Sequence, residues 1–410
     1  MRLLSNLLKK FISKGSLQVI DVDDNRYLFE GKVEGPEVTL RLHDKSLYKK
    51  LFFNPELYAG EAYMDGTLTF EEGSTCYDFL YLFSINRKTL GSHPVQKILR
   101  KGWKRMRKFQ QNNPIGKAAE NSSHHYDISE ELYRLFLGDD MQYSCAYFTS
   151  PEQELEQAQA NKLRHICAKL DLKDGMKIVE IGCGWGGLSL YMASIADVKI
   201  TAVNLSAEQI RVCKERARQA GVEHRVNFEL KDYRELEGKY DRVVSIAMFE
   251  AVGADHYDEY FSKIKELLNP DGYGLVHSIG SMTPPSSTSP FIRKYIFPGG
   301  SIPALSEVFA STERNGLWVA DAEIWRLHYA WTLNSWRKRF MENWDQAAKI
   351  YDERFCRMWE FYLVAAELGF LHGSNMVFQL MVSNNRQTVP IVRDYITDAS
   401  REILAAENKP

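Results

Sequence analysis

The sequence predicts a doubly wound α/β domain preceded by a small α+β domain. Three observations carry that reading. From Met176 the chain alternates apolar strand, glycine turn and helix; the apolar run ending at Ile181 feeds a turn containing Gly182, Gly184, Gly186 and Gly187; and short alternating segments followed by a helical one occupy the chain before Gly91. At 410 residues the chain has room for two or three domains of about 100–200 residues each. Its 44% hydrophobic and 26% charged residues exclude disorder, collagen and coiled coil. No run approaches the ~18 apolar residues of a membrane span and no secretory leader opens the chain, so a cytoplasmic location is expected. The six cysteines, Cys76, Cys145, Cys167, Cys183, Cys213 and Cys356, are scattered without CxxC pairs, which predicts free thiols and no metal site.

Taken in order, Met1 to Lys14 places Leu4, Leu7, Leu8, Phe11 and Ile12 at helical spacing, with Arg2, Lys9, Lys10 and Lys14 mostly opposite. Leu17 to Ile20, Tyr27 to Phe29 and Val38 to Leu42 read as strands, and Cys76 to Phe83 begins a helix. Lys97 to Lys108 then packs seven basic residues around Ile98, Leu99, Trp103 and Met106. Residues 1–120 hold 20 Lys/Arg against 14 Asp/Glu, while the remainder holds 32 against 40. The two basic segments suit an anionic membrane surface, at about 1 kcal/mol per basic residue. An ordinary core-packing helix and a solvated linker face stand as the alternative. Nucleic acid is not expected, since no recognition-motif spacing occurs. Asn112, Asn113, Pro114 and Gly116 mark a linker, which divides the chain into a membrane-associated domain (1–110), a linker (111–123) and a catalytic domain (124–410).

In the second domain Lys177 to Ile181 reads as the first strand, Leu188 to Ala193 as the helix after the glycine turn, and Lys199 to Val203 as the second strand. Asp241 to Ser245, Gly274 to Val276 and Val377 to Val382 supply further strands. After Gly280, the run Pro284, Pro285, Ser286, Ser287 and a long aromatic-rich helical stretch interrupt the alternation and read as a lid inserted into the sheet. By itself Gly182-x-Gly184-x-x-Gly187 also fits a dinucleotide fingerprint. Glu180, two residues before the first glycine, and Asn204 where a ribose-binding acid would stand, favour adenosylmethionine over NAD.

The segment Asn204-Leu-Ser-Ala-Glu-Gln209 resembles that of the cyclopropane-fatty-acyl-phospholipid synthases and the related mycolic acid methyltransferases. So do His125-Tyr-Asp-Ile, Met141-Gln-Tyr-Ser-Cys-Ala-Tyr147, Ser245-Ile-Ala-Met-Phe-Glu-Ala-Val-Gly253, Tyr295-Ile-Phe-Pro-Gly299, His328-Tyr-Ala-x-Thr-Leu333 and Tyr351-Asp-Glu-Arg-Phe355, in order. The resemblance implies a class I methyltransferase fold, Rossmann-like with a doubly wound mixed sheet and an inserted helical lid. It implies methyl transfer from S-adenosylmethionine to a cis double bond of an unsaturated acyl chain in membrane phospholipid, with closure of a cyclopropane ring. Tyr143, Ser144, Gly182, Gly184, Asn204, Ser206, Gln209, Asp232 and Tyr233 would line the cofactor site, beside Glu180 and Gly186 of the glycine turn. A bound bicarbonate ion would act as general base, held by the backbones of Cys145 and Ile279 and by Glu250, His277 and Tyr329. A homodimer peripherally associated with the inner face of the membrane is expected. One position departs from the family: Ala251 follows Glu250 where the family commonly has His.

The chemistry makes its own demands. A cis alkene is a weak nucleophile, and the cation it becomes on methylation must lose a proton before a ring can close, so the site must exclude water and hold a base. Aromatic faces stabilise cations at about 0.5–2 kcal/mol each. Trp318, Trp325, Tyr329, Trp331, Trp336, Phe340, Trp344 and Trp359 crowd the expected lid, and of these Tyr329 alone is assigned to catalysis. Cys356 lies in a helical run without a basic activator and is assigned to structure. Two alternatives stand beside this reading: a relative that makes a methyl- or methylene-branched lipid or methylates a small amine, and a catalytically silent lipid-binding protein.

Overall fold

The computed structural model describes residues 1–90 and 128–408. The basic segment Lys97–Lys108, the linker 111–123 and His125 lie outside the described residues. Two compact units emerge: one comprises Met1–Gln110, Ser286–Pro298 and Leu333–Ser374, the other Gln111–Pro285, Gly299–Thr332 and Asn375–Pro410.

The first unit carries a four-stranded sheet of β1 (Lys14–Ile20), β2 (Arg26–Glu30), β3 (Val33–Leu42) and β4 (Leu68–Glu71), in the order β2-β1-β3-β4. The central pair is parallel and the outer pairs are antiparallel. Asn86, fully buried on helix Cys76–Leu90, accepts the N–H groups of Ser13 and Lys14 at 2.9 and 3.0 Å and donates to the carbonyls of Lys14 and Leu82. β4 and the helices Leu47–Phe53 and Pro55–Met64 were not foreseen from the sequence.

The terminal helix forms over Arg2–Phe11, but its apolar stripe is not free to enter a bilayer. Leu4, Leu7 and Phe11 are buried, packed in one cluster with Leu17, Val19, Leu40 and Leu82. This corrects the membrane-facing reading of that stripe. The reason is elementary: a small sheet has an apolar face to cover, and the nearest amphipathic helix covers it. Lys9 and Lys10 stay exposed on the opposite side.

The second unit holds β5 (Lys177–Ile181), β6 (Lys199–Asn204), β7 (Val226–Leu230), β8 (Tyr240–Ile246), β9 (Leu268–Ser281), β10 (Trp318–Trp325) and β11 (Asn375–Ser383). Their order is β10-β11-β9-β8-β5-β6-β7, with β7 to β9 parallel throughout, β11 antiparallel to β9, and β10 antiparallel to β11. Successive strand residues feed opposite faces. Ile178 joins Ile166, Met192 and Cys213 from helices Leu155–Leu170, Gly187–Ile195 and Ala207–Gln219; Val179 joins Tyr260, Phe261 and Ile264 of helix Tyr257–Leu267 on the other side. The chain leaves β5 toward β6 and β7, then returns to build β8 and β9 on the opposite flank. That reversal opens a crevice at the carboxyl ends of β5 and β8.

Three sequence expectations change here. Trp318 and Trp325, assigned to the lid, begin and end β10, an edge strand of the sheet. His277 lies inside β9, which is far longer than the run Gly274 to Val276, rather than past its end. Of the stretch read as a lid, Ser286–Pro298 and Leu333–Ser374 belong to the first unit and Gly299–Thr332 to the second. Cys356 is buried in helix Glu353–Leu371, and all six thiols are free.

Because Leu7 is core, Leu7→Ala should destabilise the first unit by about 2–5 kcal/mol, read from denaturant unfolding. A loss of affinity for anionic vesicles in the folded variant, relative to the parent chain, would restore the membrane-facing reading.

Candidate active site

The glycine turn after β5 adopts the conformations its residues permit. Gly182, Gly184 and Gly186 have φ of 83°, 50° and 85°, the left-handed region that a Cβ disfavours. A Cβ on Gly182 would stand 2.8 Å from Met248, whereas one on Gly184 would meet no protein atom within 4 Å. The space over Gly184 is therefore open to a ligand. Gly182 and Cys183 donate their N–H groups to Val203 at 2.9 and 3.1 Å, which fastens the turn to β6. Asn204 completes the tie: its Nδ2 donates to the Gly184 carbonyl at 3.3 Å and to Gln209 Oε1 at 2.6 Å, and its Oδ1 accepts from Leu205 N–H. Ser206 caps helix Ala207–Gln219 by accepting Gln209 N–H.

Beneath the turn, Glu180 is buried and accepts from the Ser189 hydroxyl. Burial pushes its carboxyl up to about 7, against the opposing pull of Ser189 and Lys162. In the segment before helix Leu155–Leu170, Ser144 Oγ accepts from Lys162 Nζ at 2.9 Å, and the Ser144 carbonyl accepts from Gln159 Nε2 at 3.1 Å. Tyr143 packs against Tyr133 with ring centroids 5.2 Å apart. Asp232 lies near the end of β6, where Lys231 N–H reaches the Asn204 carbonyl, but Arg234 takes both its carboxylate oxygens at 2.9 and 2.7 Å. Tyr233 packs edge-on to Tyr260.

The residues expected around the base fall into two tied groups. Glu250, in the short 3-10 turn Phe249–Ala251 after β8, accepts the Ile279 N–H at 2.6 Å through Oε1. Its Oε2 is buried and has no hydrogen-bond partner among the described residues. Burial pushes this carboxyl up to about 7, with the Ile279 N–H opposing. The Ile279 amide thus orients Glu250 here; the sequence reading had it donating to the anion. His277 is buried; its Nδ1 stands 3.0 Å from Gln379 Nε2 of β11, and burial with nearby Lys162 and Lys169 holds it neutral, well below the usual histidine range.

The second group lies where the backbone next to Cys145 meets the helix that carries Tyr329. Ala146 N–H donates to Thr332 Oγ1 at 3.0 Å and Phe148 N–H to His328 Nδ1 at 3.1 Å, fastening the Cys145–Phe148 segment to the first turn of helix His328–Glu342, where Tyr329 is buried. Burial raises the Cys145 thiol far above its ordinary value, so it stays protonated, and its S–H is directed at the Ala146 carbonyl. Trp325 links the groups, in ring contact with Tyr147, His165, His277 and His328 at 4.9–5.8 Å. Trp325, Lys162 and Gln379 were not foreseen as site residues. For Gln379 a signal existed in the sequence: it is the one polar residue of the apolar run Val377 to Val382, and the structure pairs it with His277.

Solved structures settle the class. The mycolic acid cyclopropane synthase CmaA1 complexed with SAH and CTAB matches with a TM-score of 0.62 and 30% identity, covering 66% of this chain and 99% of that one. The second unit has the class I adenosylmethionine-dependent methyltransferase fold, and the chain is an enzyme of that class. The model of the mycolic acid cyclopropane synthetase family matches residues 114–380, and the chain belongs to that family. Among its relatives, the cyclopropane-fatty-acyl-phospholipid synthase of Escherichia coli K12 is 36% identical over 84% of this chain and 87% of its own length. The tuberculostearic acid methyltransferase UfaA1 of Mycobacterium tuberculosis is 40% identical over 64% of each chain.

The open space over Gly184 separates two substitutions that look alike in sequence. Gly184→Ala should fold, at a cost of about 1–2 kcal/mol for the left-handed backbone, yet lose adenosylmethionine affinity at least tenfold by calorimetry. Gly182→Ala should instead lower the melting temperature sharply, because Met248 has to move.

Proposed function

We propose that this enzyme methylates a cis double bond in the acyl chain of a membrane phospholipid and closes a cyclopropane ring, with a bound bicarbonate ion as general base. The observation that carries the reading is the buried, unpartnered Glu250 Oε2. A buried acceptor left unsatisfied costs about 1–3 kcal/mol, and a hydroxyl-bearing anion removes that penalty. The name and coverage of the Escherichia coli relative support the substrate.

Adenosylmethionine, when bound, supplies a methyl group on a sulfonium. The glycine turn, Glu180, Tyr143, Ser144 and the Asn204–Gln209 network are the groups that would hold it, with Asp232 and Tyr233 at the edge near β7. Bicarbonate, when bound, supplies a proton acceptor. In the tautomer that pairs His277 Nδ1 with Gln379 Nε2–H, the ring keeps its proton on Nε2 as a neutral donor to an anion. A neutral donor orients a base without lowering its basicity as a cation does. The Tyr329 hydroxyl and the Cys145 N–H are the further donors of this reading. Trp325 and Tyr147 pack out water, and their faces stabilise positive charge on the substrate.

Phospholipid chains must be drawn from a bilayer, so residues 1–110 are assigned to reversible docking on an anionic surface, by a homodimer. With the apolar stripe of the first helix used internally, this docking rests on charge: exposed Lys9 and Lys10 and the basic run Lys97–Lys108. Such attraction is screened over about 8–10 Å. Co-sedimentation with vesicles should therefore rise with anionic lipid, fall with salt, and weaken when Lys9, Lys10, Lys101, Lys104 and Arg105 are neutralised.

A second reading, methylation without ring closure, is favoured by the UfaA1 relative, whose name is that of a methyltransferase, and by Ala251. Expression in a host lacking ring-containing lipids decides between them. Ring closure gives a fatty acid one CH2 heavier with no double bond; a branched or still unsaturated product supports the second reading.

Glu250→Gln, His277→Ala and Tyr329→Phe should each lower turnover at least about 10²-fold with adenosylmethionine affinity largely kept; wild-type turnover in all three would remove the bicarbonate assignment. Dialysis into carbonate-free buffer should slow the enzyme and added bicarbonate should restore it. The carboxylate form of Glu250 is the useful acceptor and its pKa is about 7. Turnover should accordingly rise with pH through that value, and the limb should vanish in Glu250→Gln.

A further inference from the structure

We propose that Lys162 is a positioning residue for the amino-acid end of the cofactor, acting through Ser144 to receive the carboxylate while Glu180 faces the ammonium. The inference rests on the adenosylmethionine reading and adds which chain groups answer which charge of that zwitterion. Lys162 lies on helix Leu155–Leu170 and is 2% exposed. Its ammonium donates to Ser144 Oγ at 2.9 Å and to Gln142 Oε1. A serine hydroxyl that accepts from an ammonium turns its own proton outward, so Ser144 becomes a polarised donor suited to an anion. Burial draws the Lys162 pKa down to about 8, while Asp140, Cys145 and Glu180 hold it up, so the residue is cationic at neutral pH.

The same segment is anchored from its other end. Arg216 Nη1 donates to the Trp185 carbonyl at 2.6 Å while its Nη2 pairs with Asp140, fastening Asp140 to the glycine turn. Between these anchors Met141 is buried with φ of 52°, a conformation an unbranched residue adopts only when its surroundings impose it. Cations on either side, Arg216 through Asp140 and Lys162 through Gln142 and Ser144, thus set the Asp140–Ser144 segment in place before a ligand arrives.

Two nucleosides separate this role from a structural one. S-adenosylhomocysteine carries the amino-acid group; 5′-methylthioadenosine carries the same nucleoside and thioether without it. Calorimetry on Lys162→Met should show S-adenosylhomocysteine affinity reduced at least about 10-fold, the scale of a charge-assisted hydrogen bond, with 5′-methylthioadenosine affinity within about twofold of wild type. An equal loss for both ligands, or no loss for either, overturns the proposal. Wild-type protein that binds neither nucleoside overturns the cofactor reading itself, a distinguishable failure. If Lys162→Met does not fold, Ser144→Ala takes the same pair of titrations, and the same selective loss is required.

Discussion

The arrangement of the second unit depends on one carboxylate, Glu323. It sits largely buried on β10, paired with Lys169 Nζ at 2.5 Å and His165 Nε2 at 2.8 Å, with Arg393 at 3.7 Å. Burial alone would raise its pKa; His165 and Lys169 outweigh that and hold it far below the usual carboxylate range. Removing one partner of such a pair costs about 3–5 kcal/mol. Helical spacing puts Lys162, His165 and Lys169 along one face, and strand spacing puts Trp325 on the same face of β10 as Glu323. Fixing the ion pair therefore fixes Trp325 among Tyr147, His165, His277 and His328, and fixes Lys162 under Ser144.

Full ionic pairing is found at Glu323 and at Asp232 with Arg234, and Lys162 carries a charge beside Ser144. Three other groups of the candidate site are neutral or poised: His277 is held uncharged, and Glu180 and Glu250 both sit near 7. On the proposed chemistry, a positive carbon survives where anionic groups and water are few, since either would capture it. Stacked rings serve that purpose: Tyr147 lies between His165 and His328 at 4.7 and 4.8 Å, each nearly parallel to it.

The glycine turn and the strands around it were legible because local chemistry dictates them. Gly182, Gly184 and Gly186 take conformations few other residues accept, and short apolar runs bounded by turn residues, such as Lys177 to Ile181, read as buried strands. The identities of Glu250, His277 and Tyr329 came from motif resemblance; the structure sets Glu250 on the Ile279 N–H, His277 beside Gln379, and Tyr329 on the helix whose His328 and Thr332 hold the Ala146–Phe148 backbone. Trp325 itself was misplaced because a short aromatic strand next to long helices carries no period of its own. Lys162 was illegible for a different reason. A lysine on an amphipathic helix reads as solvated, and only the fold shows that its face of the helix is turned inward. The first helix misled in the opposite sense, since amphipathicity says that a face is buried but not against what.

The position of β11 has a consequence for synthesis on the ribosome. In the sheet it lies between β9 and β10, yet in the chain it follows both, and it carries Gln379, the partner of His277. While the chain emerges, β5 to β9 can pair among themselves and the glycine turn can close. β10 has no neighbour to pair with until residues 375–383 arrive and slot into the gap. The glycine turn is thus an early product of translation, and the Glu323 ion pair and the His277–Gln379 pair are late ones.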